Sequence, residues 1–185
     1  MISQLKVRSI PENSSSCLDH DGCEPKWYAL YTRSHQERMV KTQLDGRGVE
    51  NFLPTYDRTS QWKDRKKQLQ VPLFPSYLFV KIALLQRLEV LKSYGAVQLV
   101  GISTGPLPIP EEQVTRVKKF VEVGLKCDPH PYLKVGKKVR ITEGPLEGLE
   151  GMLVRTKSRS LFVVSVEMIQ RSVSIELEGW KIECV

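Results

Sequence analysis

The sequence has few residues of the kinds that build metal centres or nucleophilic active sites. Its 185 residues include four cysteines and three histidines, scattered along the chain. Four dispersed cysteines are too few for the disulfide framework of a small secreted protein, so we expect free thiols in a reducing compartment. No apolar run approaches the roughly 20 residues of a membrane-spanning helix, and the N-terminus lacks the apolar core of a secretion signal. We therefore expect a soluble, cytoplasmic protein that does not associate with membranes.

One cluster of potential metal ligands stands out against this background. Cys17, His20 and Cys23 follow one another with two residues between each pair. A structural zinc site normally has four protein ligands, and no second pair follows at the spacing of a zinc finger. No histidine has an evident nucleophile beside it. We therefore predict no metal site, no cofactor and no enzymatic activity, and we interpret the cluster as thiols in a flexible tail.

Positive charge is concentrated in the middle of the chain. The formal net charge is +7, from 28 basic and 21 acidic residues. Residues 26–124 alone have a net charge of +7, whereas residues 1–25 have −2 and residues 125–185 have +2. A basic excess in one segment is typical of a protein that meets a polyanion, most often nucleic acid. A solubilising surface charge explains it about equally well.

The first 125 residues have the pattern of an α+β domain preceded by a tail. Residues 1–25 are polar and lack periodicity, which predicts a flexible segment. An aromatic strand pattern follows at 27–33, and Ser34 with Glu37 has the spacing of a capping box that opens a helix. Further patterns up to residue 125 predict the order β-α-β-β-β-α-β-α. We expect an N-terminal α/β sandwich at 26–125, in which helices cover one antiparallel sheet.

The pattern changes after residue 125. Pro129 and Pro131 predict a linker at 126–131, since proline is poorly accommodated inside regular structure. Residues 132–185 contain five short strand patterns, most of them separated by glycine, proline or serine. Short strands at this density are typical of a small β-barrel, which leaves few sheet edges exposed. The predicted fold class is therefore α+β, with a second, β-rich domain at the C-terminus.

Three motifs resemble those of a known family. Residues 27–31 read WYALY, residues 73–80 read LFPSYLFV, and residues 135–146 read VGKKVRITEGPL. The first two are similar to the N-terminal NusG domain, and the third is similar to the KOW motif. KOW motifs also occur in ribosomal proteins, but the three motifs in this order are specific to the NusG family of transcription elongation factors. The resemblance implies that the C-terminal barrel is an SH3-like KOW domain.

The resemblance implies that the N-terminal domain binds the clamp helices of the largest RNA polymerase subunit. Exposed aromatic side chains and a proline suit docking of a helix, because rigid rings bury area at low entropic cost. Tyr31 and Phe74 are the contacts that we expect first, whereas Tyr77 fits a core position better. The complete predicted polymerase-binding set is Tyr31, Phe74, Pro75, Tyr77, Val97 and Ile109.

The resemblance also implies that the non-template DNA strand or the nascent RNA meets the first helix. A basic run on the predicted hairpin that follows is a second candidate surface. Arginine and lysine bind phosphate, and glutamine can hydrogen-bond a base edge, but a solvated helix face and a soluble loop are competing interpretations. The predicted nucleic-acid-binding set is Arg33, Gln36, Arg38, Lys41, Gln43, Arg47, Lys63, Arg65, Lys66 and Lys67.

For the KOW domain, the resemblance implies a loop that binds a small-subunit ribosomal protein or the termination factor Rho. Ordinary loop packing explains the apolar residue in this loop equally well. One family member refolds its KOW domain into a helical hairpin, but β-branched residues at 162–166 and 172–175 disfavour helix here, so we expect a constitutive barrel. The predicted loop residues are Met168, Ile169, Gln170 and Arg171.

These features predict a monomeric elongation or antitermination factor that suppresses pausing or termination. The long charged hairpin and the N-terminal tail are more similar to operon-specific paralogues such as RfaH and LoaP than to the housekeeping member. The alternative is a KOW-containing RNA-binding or ribosome-associated protein. The motifs at 27–31 and 73–80 argue against that alternative, because a stand-alone KOW protein has no need of them.

Overall fold

The protein has a mixed α+β fold, with a four-stranded antiparallel sheet covered by helices and a separate six-stranded sheet. The structure is a computed structural model that describes residues 23–61, 66–123, 128–133, 136–155, 160–177 and 180–185, with the backbone alone at 59–61 and 66–67. The predicted α+β fold class is therefore confirmed.

The N-terminal part contains eight strands and three α-helices among the described residues. A 3-10 turn at Leu84–Gln86 leads directly into the second helix. In chain order the elements are β1 (Lys26–Thr32), α1 (Glu37–Asp45), β2 (Asn51–Phe52), β3 (Thr55–Gln61), β4 (Lys66–Pro72), β5 (Tyr77–Ile82), α2 (Arg87–Leu91), β6 (Ala96–Leu99), β7 (Gly101–Ile102), β8 (Gly105–Pro106) and α3 (Glu111–Glu122).

The central sheet has the strand order β2-β5-β1-β6 and is antiparallel throughout. Successive side chains of a strand point to opposite faces, and both faces of β1 are buried. Tyr28 and Leu30 pack in one cluster with Val40 and Leu44 of α1, whereas Trp27 lies in a second cluster, which also contains the apolar face of α3. Burial on both faces explains why β1 is apolar along nearly its whole length.

The first helix begins differently from the prediction. Its N-cap is Gln36, which makes no side-chain capping bond, and His35 before it has a left-handed φ of 62°. The predicted capping box of Ser34 and Glu37 is therefore wrong. The Glu37 carboxylate instead accepts a hydrogen bond from the backbone N–H of Ser76, at 2.7 Å. Glu37 therefore makes a tertiary hydrogen bond to Ser76 and not the local capping bond that its spacing from Ser34 predicted.

The C-terminal part is a six-stranded antiparallel sheet with the order β14-β10-β11-β12-β13-β9. The β-structure predicted for 162–166 and 172–175 is confirmed. A 3-10 turn at Glu167–Ile169 connects two of the strands. The strands are β9 (Asp128–Pro131), β10 (Lys137–Ile141), β11 (Glu150–Arg155), β12 (Ser160–Val166), β13 (Arg171–Glu176) and β14 (Ile182–Cys184).

Strand β9 lies within the segment predicted as a linker, 126–131, and both prolines of that segment are part of regular structure. Pro129 pairs with Val173 and Pro131 with Arg171, although proline lacks an N–H for the ladder. An edge strand tolerates proline, because the side without a donor can face away from the sheet. The prolines therefore mark a sheet edge here. The domain boundaries given above stay predictions.

Helix α3 connects the two sheets. Val114 and Val117 are buried in the cluster that contains Trp27 of β1. One turn further on, the Phe120 ring stacks on Phe162 of β12, with centroids 5.8 Å apart and planes at 22°. Because Phe120 and Phe162 are both fully buried, α3 and β12 share one continuous apolar core.

Candidate functional site

Two chain segments meet the end of β1 and bring most of the predicted site residues of the N-terminal part together. The backbone N–H of Thr32 donates to the carbonyl of Ser76 at 2.9 Å, which fixes the turn before β5. The N–H of Arg33 donates to the carbonyl of Gly95, also at 2.9 Å, which fixes the segment before β6. Residues that are distant in the sequence therefore lie beside the N-terminus of α1.

An exposed group of apolar side chains lies at this end of the sheet; we call Tyr31, Pro75, Tyr77 and Val97 the aromatic patch. The Tyr31 and Tyr77 rings contact each other, with centroids 5.4 Å apart and planes at 54°. Tyr31 is 37% exposed and Val97 46% exposed, while Pro75 is exposed and Tyr77 half-buried. Rings held against each other in this way present apolar area with little side-chain freedom left to lose.

Two members of the predicted polymerase-binding set lie beneath the surface. Phe74 is 1% exposed and packs edge-on against Phe79, with centroids 5.9 Å apart. Ile109 is buried, and its N–H donates to the carbonyl of Trp27 at 2.7 Å. The expectation that Phe74 and Ile109 are surface contacts is therefore wrong: both belong to the core.

A second exposed aromatic residue, Tyr94, lies near the start of β6, and no sequence motif indicated it. Its side chain is 63% exposed, and the Arg33 guanidinium lies 5.8 Å from the centre of its ring. Gln43 fixes its backbone twice: the side-chain amide donates to the Tyr94 carbonyl at 3.0 Å and accepts from the Tyr94 N–H at 2.9 Å. We call Arg33, Gln43 and Tyr94 the stacking site.

Two other basic residues, Arg38 of α1 and Arg47 just after its end, make hydrogen bonds within the protein itself. Arg38 donates to the Gln70 carbonyl of the β3–β4 hairpin at 2.6 Å. Arg47 donates to the Glu89 carbonyl at 2.7 Å and to the Ser93 hydroxyl at 3.1 Å. These two guanidiniums hold neighbouring segments against α1, so part of the basic charge predicted for nucleic acid has a structural use.

Lys41 forms an ion pair within the helix. Its ammonium lies 2.7 Å from the Asp45 carboxylate, one helical turn away. The hydrogen bond from Lys41, followed by one from Asn51, holds the pKa of Asp45 below its usual value. The Lys41 side chain is half-exposed and can still contact solvent. A nucleic-acid phosphate that bound Lys41 would have to replace the Asp45 carboxylate.

Gln36 sits beneath a close approach of the chain. A Cβ atom on Gly95 would lie 2.5 Å from the Gln36 Oε1 atom and 3.1 Å from the Gln36 Cβ atom, and Gly95 has a left-handed φ of 97°, which favours glycine. Within the described residues, Gln36 Oε1 is buried without a hydrogen-bond partner. Gln36 is therefore half-buried beside Gly95, the residue that follows Tyr94, and its amide oxygen does not face solvent.

Several predicted residues lie outside what the structure describes. Lys63 and Arg65, like Trp62, fall between the described parts of the hairpin, and of Lys66 and Lys67 only the backbone in β4 is described. Cys17 and His20 also lie outside the described residues, while Cys23 is exposed. The described ranges contain no cluster of three histidine, cysteine or acidic side chains able to hold a metal ion.

The predicted partner loop of the C-terminal sheet lies against α3. The Glu167 N–H donates to the Gln113 side chain at 3.3 Å. Ile169 is buried in the shared core, Met168 is half-buried, and Gln170 turns the chain with a left-handed φ of 51°. Ile169 therefore packs in the core, as the second of its two interpretations expects. Gln170 and Arg171 are exposed.

In the part of the chain that is described, no helix is long and apolar enough to cross a membrane.

Known proteins are similar to this chain in sequence and in fold. The curated transcription termination/antitermination protein NusG of Campylobacter jejuni is 26% identical over 166 residues, covering 82% of this chain and 93% of that protein. The protein of the same name from Staphylococcus epidermidis is 28% identical over 175 residues, covering 85% and 94%. The solved structure "Domain interaction in Thermotoga maritima NusG" has a TM-score of 0.52 at 21% identity, covers 88% of this chain and 98% of that one, and is similar in fold.

A family model described as "Transcription termination factor nusG" matches residues 25–118. The match includes two of the motifs noted above, at 27–31 and 73–80, together with the aromatic patch and the stacking site. It spans just over half of the chain, and the curated relatives extend the similarity across most of the remainder. This chain belongs to the NusG family.

Proposed function

We propose that this protein is an RNA polymerase-associated factor that uses the aromatic patch to bind the clamp helices of the largest polymerase subunit. The observation that carries the proposal is the patch itself: Tyr31 and Tyr77 in ring contact, with Pro75 and Val97 exposed. A fixed apolar surface of this kind suits the apolar face of a helix, because little entropy is lost when it docks.

The buried residues below the patch support this role. Phe74 anchors the turn that carries Pro75, and its ring packs against Phe79 in the core. A contact surface that is built on packed core residues holds its shape before the partner arrives, which favours affinity. Phe74 thus contributes as a support, and Tyr31 becomes the first residue to test.

The stacking site is the proposed contact for single-stranded nucleic acid, either the non-template DNA strand or the nascent RNA. An exposed ring gives an unstacked base a surface to stack on, and an arginine beside it supplies charge for phosphate. Arg33 and Tyr94 meet these needs, and Gln43 holds the ring's backbone in place.

The proposed outcome of these contacts is antitermination or suppression of pausing, achieved by binding alone. The curated relatives are named as termination/antitermination proteins, which supports a role in transcription termination or antitermination.

We also propose that the protein is an operon-specific paralogue similar to RfaH or LoaP, and the two seven-residue strands of the β3–β4 hairpin support this. In this proposal the C-terminal domain recruits a ribosomal protein or Rho through the exposed Gln170 and Arg171.

A pair of tyrosine variants tests the proposal. Tyr31→Ala removes the exposed ring of the aromatic patch, so we expect its dissociation constant for purified core RNA polymerase to rise roughly tenfold, as for a hot-spot residue. Tyr94→Ala is the matched control, since it removes the other exposed tyrosine ring, which belongs to the stacking site. We expect it to bind core polymerase, in the absence of nucleic acid, as the unmodified protein does.

Biolayer interferometry with the immobilised full chain gives both constants, and circular dichroism checks that each variant is folded. Equal affinity of the Tyr31→Ala variant and the unmodified protein for polymerase would contradict the assignment of the patch. Equal loss in both variants would also contradict it, because the two rings would then act through the fold as a whole.

A further inference from the structure

The turn that carries Pro75 contains a residue in an unfavourable backbone conformation. The Tyr77 N–H donates to the Phe74 carbonyl at 3.1 Å, which closes a four-residue turn with Pro75 and Ser76 at its centre. Ser76 has a φ of 66°. A turn with proline second and a positive φ third is of type II, in which glycine is the favoured third residue. Serine has a Cβ atom, so this turn is held against a local preference.

The Glu37 carboxylate holds the turn in this conformation. Glu37 is only 4% exposed although it is charged, and its Oε1 atom accepts a hydrogen bond from the Ser76 N–H at 2.7 Å. Hydrogen bonds to an ionised acceptor are shorter and stronger than neutral ones. On the other side of Ser76, its carbonyl accepts from the Thr32 N–H at 2.9 Å. The two bonds together fix both peptide groups that flank the strained residue.

The position of Glu37 connects the two proposed surfaces. It is the first residue of α1, where a carboxylate also interacts favourably with the helix dipole. Arg33, of the stacking site, lies just before that helix, and Pro75 and Tyr77, of the aromatic patch, lie on either side of Ser76. The only polar contact recorded for the Glu37 side chain among the described residues is with the backbone of the turn.

We propose that Glu37 is a positioning residue for polymerase binding: it fixes the Ser76 backbone so that Pro75 and Tyr77 stand beside Tyr31 before the partner arrives. The inference rests on the proposed function of the aromatic patch. Without the acceptor, Ser76 relaxes toward a negative φ and the patch loses its fixed shape. Polymerase must then restore that shape on binding, at the expense of affinity.

A double-mutant cycle between Glu37 and Ser76 tests this assignment. Glu37→Ala removes the acceptor, and we expect the dissociation constant for core RNA polymerase to rise roughly tenfold. Ser76→Gly removes the Cβ atom, so the turn no longer depends on the carboxylate; we expect affinity within about twofold of the unmodified protein. In the Ser76→Gly background, Glu37→Ala then costs about threefold or less.

Conservative variants separate positioning from general stability. Glu37→Gln keeps an oxygen acceptor of the same reach, so we expect it to restore binding to within about threefold. Glu37→Met keeps the length of the side chain without an acceptor and stands in for Glu37→Ala if that variant does not fold. Glu89→Ala, which removes an exposed carboxylate of α2 paired with Lys92, is the control for loss of a negative charge.

Hydrogen exchange of the Ser76 amide gives a readout that does not need the partner. We expect the amide to exchange faster in Glu37→Ala than in the unmodified protein or in Glu37→Gln, while amides within β5 keep their protection. Unchanged Ser76 exchange in Glu37→Ala, or the same loss of affinity in both backgrounds, overturns the inference. If the unmodified protein does not bind polymerase, the proposed function fails, and amide exchange still decides whether Glu37 positions the turn.

Discussion

Arg33 and Tyr94 belong to segments that are about sixty positions apart in the sequence and meet only in the fold. In the proposed contact with single-stranded nucleic acid, the two side chains would make different interactions. The guanidinium would contact a phosphate, and the strength of such a contact depends on salt. The ring would stack on a base, and the strength of stacking depends little on salt. The two contributions can therefore be measured separately.

We expect Arg33→Ala and Tyr94→Ala to weaken binding to a single-stranded DNA oligonucleotide in different ways. Loss of one phosphate contact reduces the slope of log affinity against log salt by about 0.7. Loss of the ring weakens binding about tenfold at every salt concentration and leaves the slope unchanged. Fluorescence anisotropy over a salt series measures both effects. Arg155→Ala, which removes an exposed arginine at the end of β11, is the control. A salt slope for Arg33→Ala equal to that of the unmodified protein would refute the phosphate contact.

The sequence could indicate the chemistry of such residues but not their partners. Arg33 and Gln43 were predicted as contacts because the family resemblance implies that nucleic acid meets the first helix, whereas Tyr94 was missed because its backbone is held by Gln43 from 51 positions away. Arg38 has the same charge as Arg33, yet it bonds to a hairpin carbonyl. Whether an arginine faces solvent or backbone is decided by tertiary placement, which a single sequence does not encode locally.

At the level of elements, the strands were easier to predict than their ends. The β-branched residues of β12 and β13 identified those strands, because such side chains pack well on a pleated surface. The start of α1 and strand β9 were mispredicted for opposite reasons. At α1 a capping pattern was present but Glu37 was used elsewhere, and at β9 two prolines suggested a break where an edge strand accommodates them.

Gly151 shows how closely two strands of the C-terminal sheet approach. A Cβ atom there would lie 2.6 Å from the Phe162 ring and 2.8 Å from the Val163 carbonyl. We expect Gly151→Ala to lower the free energy of unfolding by about 1–3 kcal/mol, because a buried ring and a strand backbone must both move. Denaturant unfolding measures the change.

Gly46→Ala is the matched control for Gly151→Ala. Gly46 has helical backbone angles, and the atom nearest to an added Cβ would be 3.5 Å away. We expect its unfolding free energy to stay within about 0.5 kcal/mol of the unmodified protein or to rise slightly, since alanine restricts the unfolded chain. If Gly151→Ala is as stable as Gly46→Ala, then the close approach of β11 and β12 is not a constraint on the fold.

For the whole molecule, α3 has a larger role than its pattern suggested. The spacing of Val114 and Val117 predicts one apolar face, and a single apolar face normally implies one layer of packing. In the structure this face packs against two sheets. The two valines lie in the cluster with Trp27 of the first sheet, and Phe120 stacks on Phe162 of the second sheet. Periodicity reports that a face is buried but not against which partner, so the contact between the two parts could not be read from the sequence.

The contact between Phe120 and Phe162 should couple the stabilities of the two parts. Phe120→Ala leaves a cavity in the shared core, and we expect it to lower the free energy of unfolding by about 3–5 kcal/mol. In the double variant with Phe162→Ala, the loss of unfolding free energy should be smaller than the sum of the two single losses, by about 0.5–1.5 kcal/mol, because the ring contact is removed only once.

Phe162→Ala with Val40→Ala is the control pair. Val40 packs in the other cluster, with Leu44, so these two losses of unfolding free energy should add. Denaturant unfolding of the three single variants and the two double variants measures every free-energy difference. Simple additivity for the phenylalanine pair would mean that α3 and β12 lie together without stabilising each other.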